Sequence, residues 1–116
     1  AFGAQKARMN AARKTVEMAS LNGRNQEYML RKAYEAAYND YLSAHNSLEY
    51  YQNQGVPQAR EMERISKISY ENGSIGYVEL MQNMQSTVDV WKEYADAECR
   101  YNKTIVELNY LKGDNK

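Results

Sequence analysis

The first chemistry this chain could offer is soft-metal binding. It has one cysteine, Cys99, one histidine, His45, and six methionines. A copper or zinc site needs several such donors brought to one point. Met81 and Met84, three residues apart, would share a helical face and form the best pair. Yet the methionines fall at helical spacings, where filling gaps between helices is their commoner use. His45 lies next to an apolar seam position, as a surface or interface residue does. Cys99 has no second cysteine to pair with. The carboxylates are scattered among opposite charges, the pattern of solvated helix. No phosphate loop, nucleophile motif or zinc spacing occurs. The sequence therefore predicts no catalytic residue, no metal site and no cofactor.

The elements that carry these residues read as helix. The 116 residues fit one domain, 1–116, and the composition is helix-forming, with a single proline. Fifteen basic residues balance fifteen acidic ones, so nothing draws the chain to nucleic acid or an anionic membrane surface. No apolar run approaches the roughly 18 residues that a membrane helix needs. The absence of an initial methionine or signal pattern leads us to expect a mature product or a cut fragment. Eleven tyrosines with one Phe and one Trp suit a thin assembly, where rings pack while hydroxyls reach water.

Helix is predicted from about Gly3 to Gln54, with a coiled-coil seam at Leu30, Tyr34, Ala37, Tyr41, Ala44, Leu48 and Tyr51. Met9, Ala12, Val16 and Ala19 hint at the same stripe upstream. A kink or short interruption is expected at Gly55–Pro57, since proline removes a donor and pushes Val56 away from helical angles. Helix should resume near Gln58 and stop at Asn72-Gly73, with Gly73 in the left-handed position. The last helix should run from Tyr77 to Lys112 and end at Gly113. Its apolar residues form two stripes, Tyr77-Met81-Met84-Val88-Trp91-Ala95 and Tyr94-Ala97-Tyr101-Ile105-Leu108-Leu111. A helix apolar on two sides is gripped from two sides, so self-association of the isolated chain is expected.

The fold class predicted is all-α, a long antiparallel helical hairpin with its tip at Gly73–Gly76. Residues 3–72 would span roughly 105 Å and residues 77–112 about 54 Å, so the returning helix would end opposite roughly residue 37. The N-terminal third then folds back, pivoting at Gly23 or Gly55, or is covered by other polypeptide.

The stretch "SYENGSIGYVELMQN" resembles the helix–turn–helix tip of TolC-like outer-membrane efflux proteins. Tyr70, Gly73, Ser74, the pair Tyr77-Val78 and Glu79 stand where that family has an aromatic, a glycine, a small polar turn residue, an apolar pair and an acid. Tyr101-Asn102, Leu108, Leu111 and Gly113 follow at similar distances. The start, "AFGAQKARMNAAR", is similar to the family's glycine-marked entry into its long periplasmic helix. The likeness thus covers Phe2 to Gly113, and "YYQNQGVPQA" with "GSIGYVEL" most resembles the heavy-metal (CusC/CzcC-like) branch.

The resemblance implies the second-repeat periplasmic hairpin of a trimeric channel, lacking its β-barrel strands. It implies docking of the tip, Gly73, Ser74, Ile75, Gly76, Tyr77, Val78 and Glu79, to a periplasmic adaptor that links the channel to an inner-membrane pump. The aspartates that ring the tunnel entrance in TolC correspond here to Glu79 and Gln82, so such a ring would be half as charged. An adaptor-type hairpin, or another coiled-coil interaction module without a channel role, is the alternative.

Overall fold

The computed structural model describes residues 2–113. Ala1 and residues 114–116, the ends of the predicted domain, lie outside the described residues. Helix α1 runs Phe2–Tyr50, a π-helical turn follows at Tyr51–Gly55, α2 runs Val56–Glu71, and α3 runs Tyr77–Lys112. Among the described residues there is no strand, and the fold is an all-α helical hairpin. Among the described residues no helix is long and apolar enough to cross a membrane.

The chain divides into two units, Ala1–Ala36 and Ala37–Lys116. In the first, Gly23 is interior to α1, so the pivot considered there does not occur. Phe2, Met9, Val16 and Leu30 recur at multiples of seven and are all exposed. Leu30 was expected in the seam; burial begins instead at the half-buried Tyr34.

The second unit is the hairpin. Along α1 the buried positions are Ala37, Ala44 and Leu48, alternating with half-buried Tyr41 and Tyr51, as the 3-4 spacing predicts. Ala44 is 0% exposed, so its methyl marks a point of close helix approach. Tyr41 meets Tyr101 of α3 with ring centroids 5.7 Å apart. Farther along, Arg100 donates to the Ser43 hydroxyl at 3.0 Å.

The α3 seam differs from both predicted stripes. Leu80, Asn83, Thr87, Val90, Tyr94, Ala97, Tyr101, Thr104, Leu108 and Leu111 alternate spacings of three and four, and each is buried or half-buried. The lower part of this seam is the predicted Tyr94-to-Leu111 stripe. Its upper part passes through polar Asn83 and Thr87, while Tyr77, Met81, Val88 and Trp91 of the other stripe stay exposed.

The disturbance near Pro57 lies earlier than expected and takes another form. The chain stays helical through it: Gly55 has φ −60° and ψ −52°, Val56 φ −66° and ψ −46°. The disturbance expected at Gly55–Pro57 is thus present as a π-helical turn that ends at Gly55, while Val56, expected outside helical angles, keeps them. Instead the Val56 amide bonds the Tyr51 carbonyl, five residues back, which opens a wide turn. The physical reason lies in the proline. In an α-helix its ring would strike the carbonyl four residues before it, and widening the preceding turn relieves this. Pro57 then sits in the first turn of α2, where a missing donor matters little.

A π-turn adds one residue to the helix. The heptad of α1 would continue as Gly55, Gln58, Met62, Ile65 and Ser69. Gly55 and Ser69 at the two ends are buried and half-buried, but between them it is Val56, Ala59, Glu63 and Ser66 that are buried or half-buried, each one position later than that heptad. Ser66 is 3% exposed, whereas Met62 and Ile65 are 45% and 49% exposed. Across the seam Asn83 donates to the Ser66 hydroxyl at 3.0 Å, and the Thr87 hydroxyl bonds the Asn83 carbonyl at 3.1 Å. This polar layer has its hydrogen bonds met, so burying it is tolerated.

Gly55 is buried, and a Cβ there would lie 3.0 Å from a Tyr51 ring carbon. The glycine lets that ring lie against the turn. Tyr51 then donates its phenol proton to the Glu93 carboxylate at 3.1 Å. This bond, more than burial or the nearby negative charge, raises the Tyr51 pKa above the ordinary phenol range. The Tyr101 phenol is raised in the same direction, first by its hydrogen bond with Tyr41.

A group whose folded pKa is raised contributes stability that is complete below its unfolded value, about 10 for tyrosine, and lost as pH rises through the folded value. Urea unfolding should therefore show a hairpin whose stability these two phenols leave unchanged up to about pH 10 and weaken beyond it. Tyr51→Phe should remove part of that alkaline decline, leaving the share owed to Tyr101. An unchanged decline in the variant would contradict the Tyr51–Glu93 bond.

Candidate docking tip

Between α2 and α3 the chain reverses within five residues, 72–76. The helix ends on Asn72, whose amide still bonds Ile68 at 3.0 Å. Gly73 has φ +79°, the left-handed region where a side chain is strained. Its amide bonds the Tyr70 carbonyl at 3.1 Å, and the Ser74 amide reaches back to Ser69 at 2.8 Å. These crossed bonds make a Schellman motif and satisfy carbonyls that the helix end leaves open. Asn72 adds a side-chain clasp, its Oδ1 accepting from both the amide and the hydroxyl of Ser74. Backbone bonds and this local clasp thus close the turn.

The returning helix starts from Gly76 at φ −89° and ψ 176°, an extended conformation open to any residue. Gly76 is the N-cap of α3, so the gain that alanine brings inside a helix is not available there. Its carbonyl accepts the first helical bond, from Leu80, at 3.0 Å. Glu79 sits in the first turn, where the amide dipoles favour a negative charge.

Structurally the tip residues are brought together as one exposed cap. Gly73, Ser74, Gly76 and Glu79 are exposed and Ile75 is half-buried. Tyr77 leans edge-on against Tyr70, centroids 6.4 Å apart, yet is 63% exposed; Val78 is 69% exposed. Val78 therefore takes no part in closing the hairpin. Glu79 and Gln82, one turn apart on α3, are both exposed, and the Gln82 carbonyl accepts from Ser86.

The residues considered for metal chemistry lie apart. His45 stacks on Tyr41, faces Tyr101 at 5.9 Å, and has Glu49 3.5 Å from its Nε2. Cys99 is exposed, Met81 is exposed, and Met84 is half-buried. Among the described residues no three His, Cys, Asp or Glu side chains converge as metal ligands.

Sequence reasoning missed a groove of about 220 Å³ beside the π-turn, lined by Tyr51, Gly55, Met62, Thr87, Val90 and Glu93 among others. Its one sequence signal was Gly55, read there as a kink rather than as room for a ring. On the opposite flank Arg60 lies over Trp91, 5.4 Å from the ring centroid. Trp91 and Glu93 are two residues apart, about 200° around their helix, so the two flanks are distinct surfaces. Exposed apolar residues thus occur on both: Met62 lining the groove, and Met81, Val88 and Trp91 on the side of Arg60.

No family model matches the chain, and no curated relative or solved structure does.

The geometry separates the two tip glycines. Gly73→Ala should cost about 1 kcal/mol or more, because the left-handed angle strains any side chain. Gly76→Ala should cost less, since its angles suit alanine and a Cβ there meets nothing within 4 Å. Gly76→Asp should gain a few tenths of a kcal/mol by supplying the missing cap oxygen. Urea unfolding of the three variants checks the order, and equal losses at the two glycines would contradict it.

Proposed function

We propose that this hairpin is a periplasmic tunnel segment of an outer-membrane efflux channel, and that its tip docks on a periplasmic adaptor. The observation that carries the reading is the exposed apolar pair at the tip. Tyr77 and Val78 stand out from a turn that is already closed by its own backbone bonds. Folding of the hairpin gives no reason for an exposed valine there; a partner surface does. Exposed apolar residues on both flanks support the second part, in which neighbouring hairpins press from each side as in a tunnel wall.

In this reading the full-length protein is a homotrimer whose missing β-barrel strands sit in the outer membrane. The adaptor joins it to an inner-membrane pump, and the ordered likeness at the tip and at "YYQNQGVPQA" favours the heavy-metal branch. Glu79 and Gln82 are the candidate entrance residues. The cargo is not chosen by the segment. A second reading, an adaptor-type or other coiled-coil interaction module, draws on the regular 3-4 seam, which two helices alone can fill.

A bulky residue at Gly76 separates docking from folding, since that position is open and unstrained. In the full-length protein, Gly76→Trp should leave trimer assembly on a gel intact and abolish metal resistance in cells. Normal trimers with full resistance would mean that the tip is only a turn.

A further inference from the structure

We infer that α2 has two seams available to it, and that the π-turn decides which one faces α3. The inference stands apart from any channel role and rests on the hairpin alone. Carried on without interruption, the α1 heptad would bury Gln58, Met62 and Ile65, all three exposed here. The observed seam buries or half-buries Val56, Ala59, Glu63 and Ser66. The unused seam is the more apolar at its centre: Met62 and Ile65 against Glu63 and Ser66. A sequence normally buries the better stripe. Here the poorer one is buried and Met62, Ile65 and Ile68 are left in solvent.

Two local features hold the choice. Pro57 disfavours an α-helical turn before it, because its ring would meet the carbonyl of Asn53. The wide turn closed by Val56 on Tyr51 removes that conflict and adds the extra residue. The Ser66–Asn83 hydrogen bond then locks the resulting register from the α3 side. Annealing the π-turn to α-helix would turn α2 by about 100° about its axis. Ser66 would leave Asn83, Ile65 would approach it, and Met62 would close over Val90.

Tip and flank are coupled through this rotation. The Schellman turn is built on Ser69, Tyr70 and Gly73, at the far end of α2, so it would be re-aimed when α2 turns.

Disulfide trapping tests this directly, in full-length chain carrying Cys99→Ser. The pair Ser66→Cys with Asn83→Cys reports the observed seam, and Ile65→Cys with Asn83→Cys reports the alternative. With Pro57 present the 66–83 pair should close at least tenfold faster than 65–83 under mild oxidation. Pro57→Ala should shift that ratio at least tenfold toward 65–83. Deleting Gln54, which removes the extra residue outright, should favour 65–83 in the same way. The inference is overturned if Pro57→Ala and the deletion leave the ratio where it was. It is equally overturned if both pairs close at the slow, equal rates seen in urea, since the proline would then be holding the hairpin together rather than choosing its seam.

Discussion

A proline that cannot sit in the interior of an α-helix, two residues after a glycine that leaves room for a tyrosine ring, sets how α2 packs in the hairpin. Pro57 in a helix interior would cost about 3 kcal/mol through its lost donor and its clash. Fully burying Met62 and Ile65 would return roughly 1.5–3 kcal/mol each, and both are already about half buried. The two effects are therefore of similar size. The wide turn removes the first penalty, and the Ser66–Asn83–Thr87 layer gives the shifted seam hydrogen bonds in exchange for lost apolar contact. One extra residue then dictates everything beyond it: which face of α2 is wet, where the groove opens, and how the tip is aimed.

The same constraint explains the surface. A seam lined by Asn83 and Thr87 leaves Met81, Val88 and Trp91 outside, and a shifted α2 leaves Met62, Ile65 and Ile68 outside. These are costly residues to expose without use. They lie on separate flanks, each beside charged residues, Glu93 on one and Arg60 on the other. This is the character that the proposed neighbours on both sides require. The tip adds a third exposed site, and its rigidity comes from backbone bonds that ask nothing of Tyr77 or Val78.

Much of the fold was legible in the residues. Asn72-Gly73 and Gly113 carry helix-stop chemistry, both glycines are left-handed, and α3 has the limits Tyr77–Lys112 that its pattern implies. The Ala–Tyr seam from Tyr34 to Tyr51 was legible because small and amphipathic residues alternate at the right spacing. The α3 seam was not, since periodicity of apolar residues cannot find a stripe that runs through Asn83 and Thr87. The π-turn was hidden for another reason. Proline acts on carbonyls of the preceding turn, so the distortion falls on Tyr51–Gly55 and not on the proline itself. At the tip the turn chemistry was readable, whereas the extended angles of Gly76 depend on where α3 must begin.

The central claim is that α2 is packed one residue out of step with α1. Cysteine accessibility along α2 tests it most directly, with single cysteines placed at positions 58 to 69 in a Cys99→Ser background and labelled by a small thiol reagent. Slow labelling at 59, 63 and 66, with fast labelling at 58, 62, 65 and 68, is the result expected. Slow labelling at 58, 62 and 65 with fast labelling at 59 and 66 would contradict it, because the α1 heptad would then run on unbroken through Pro57.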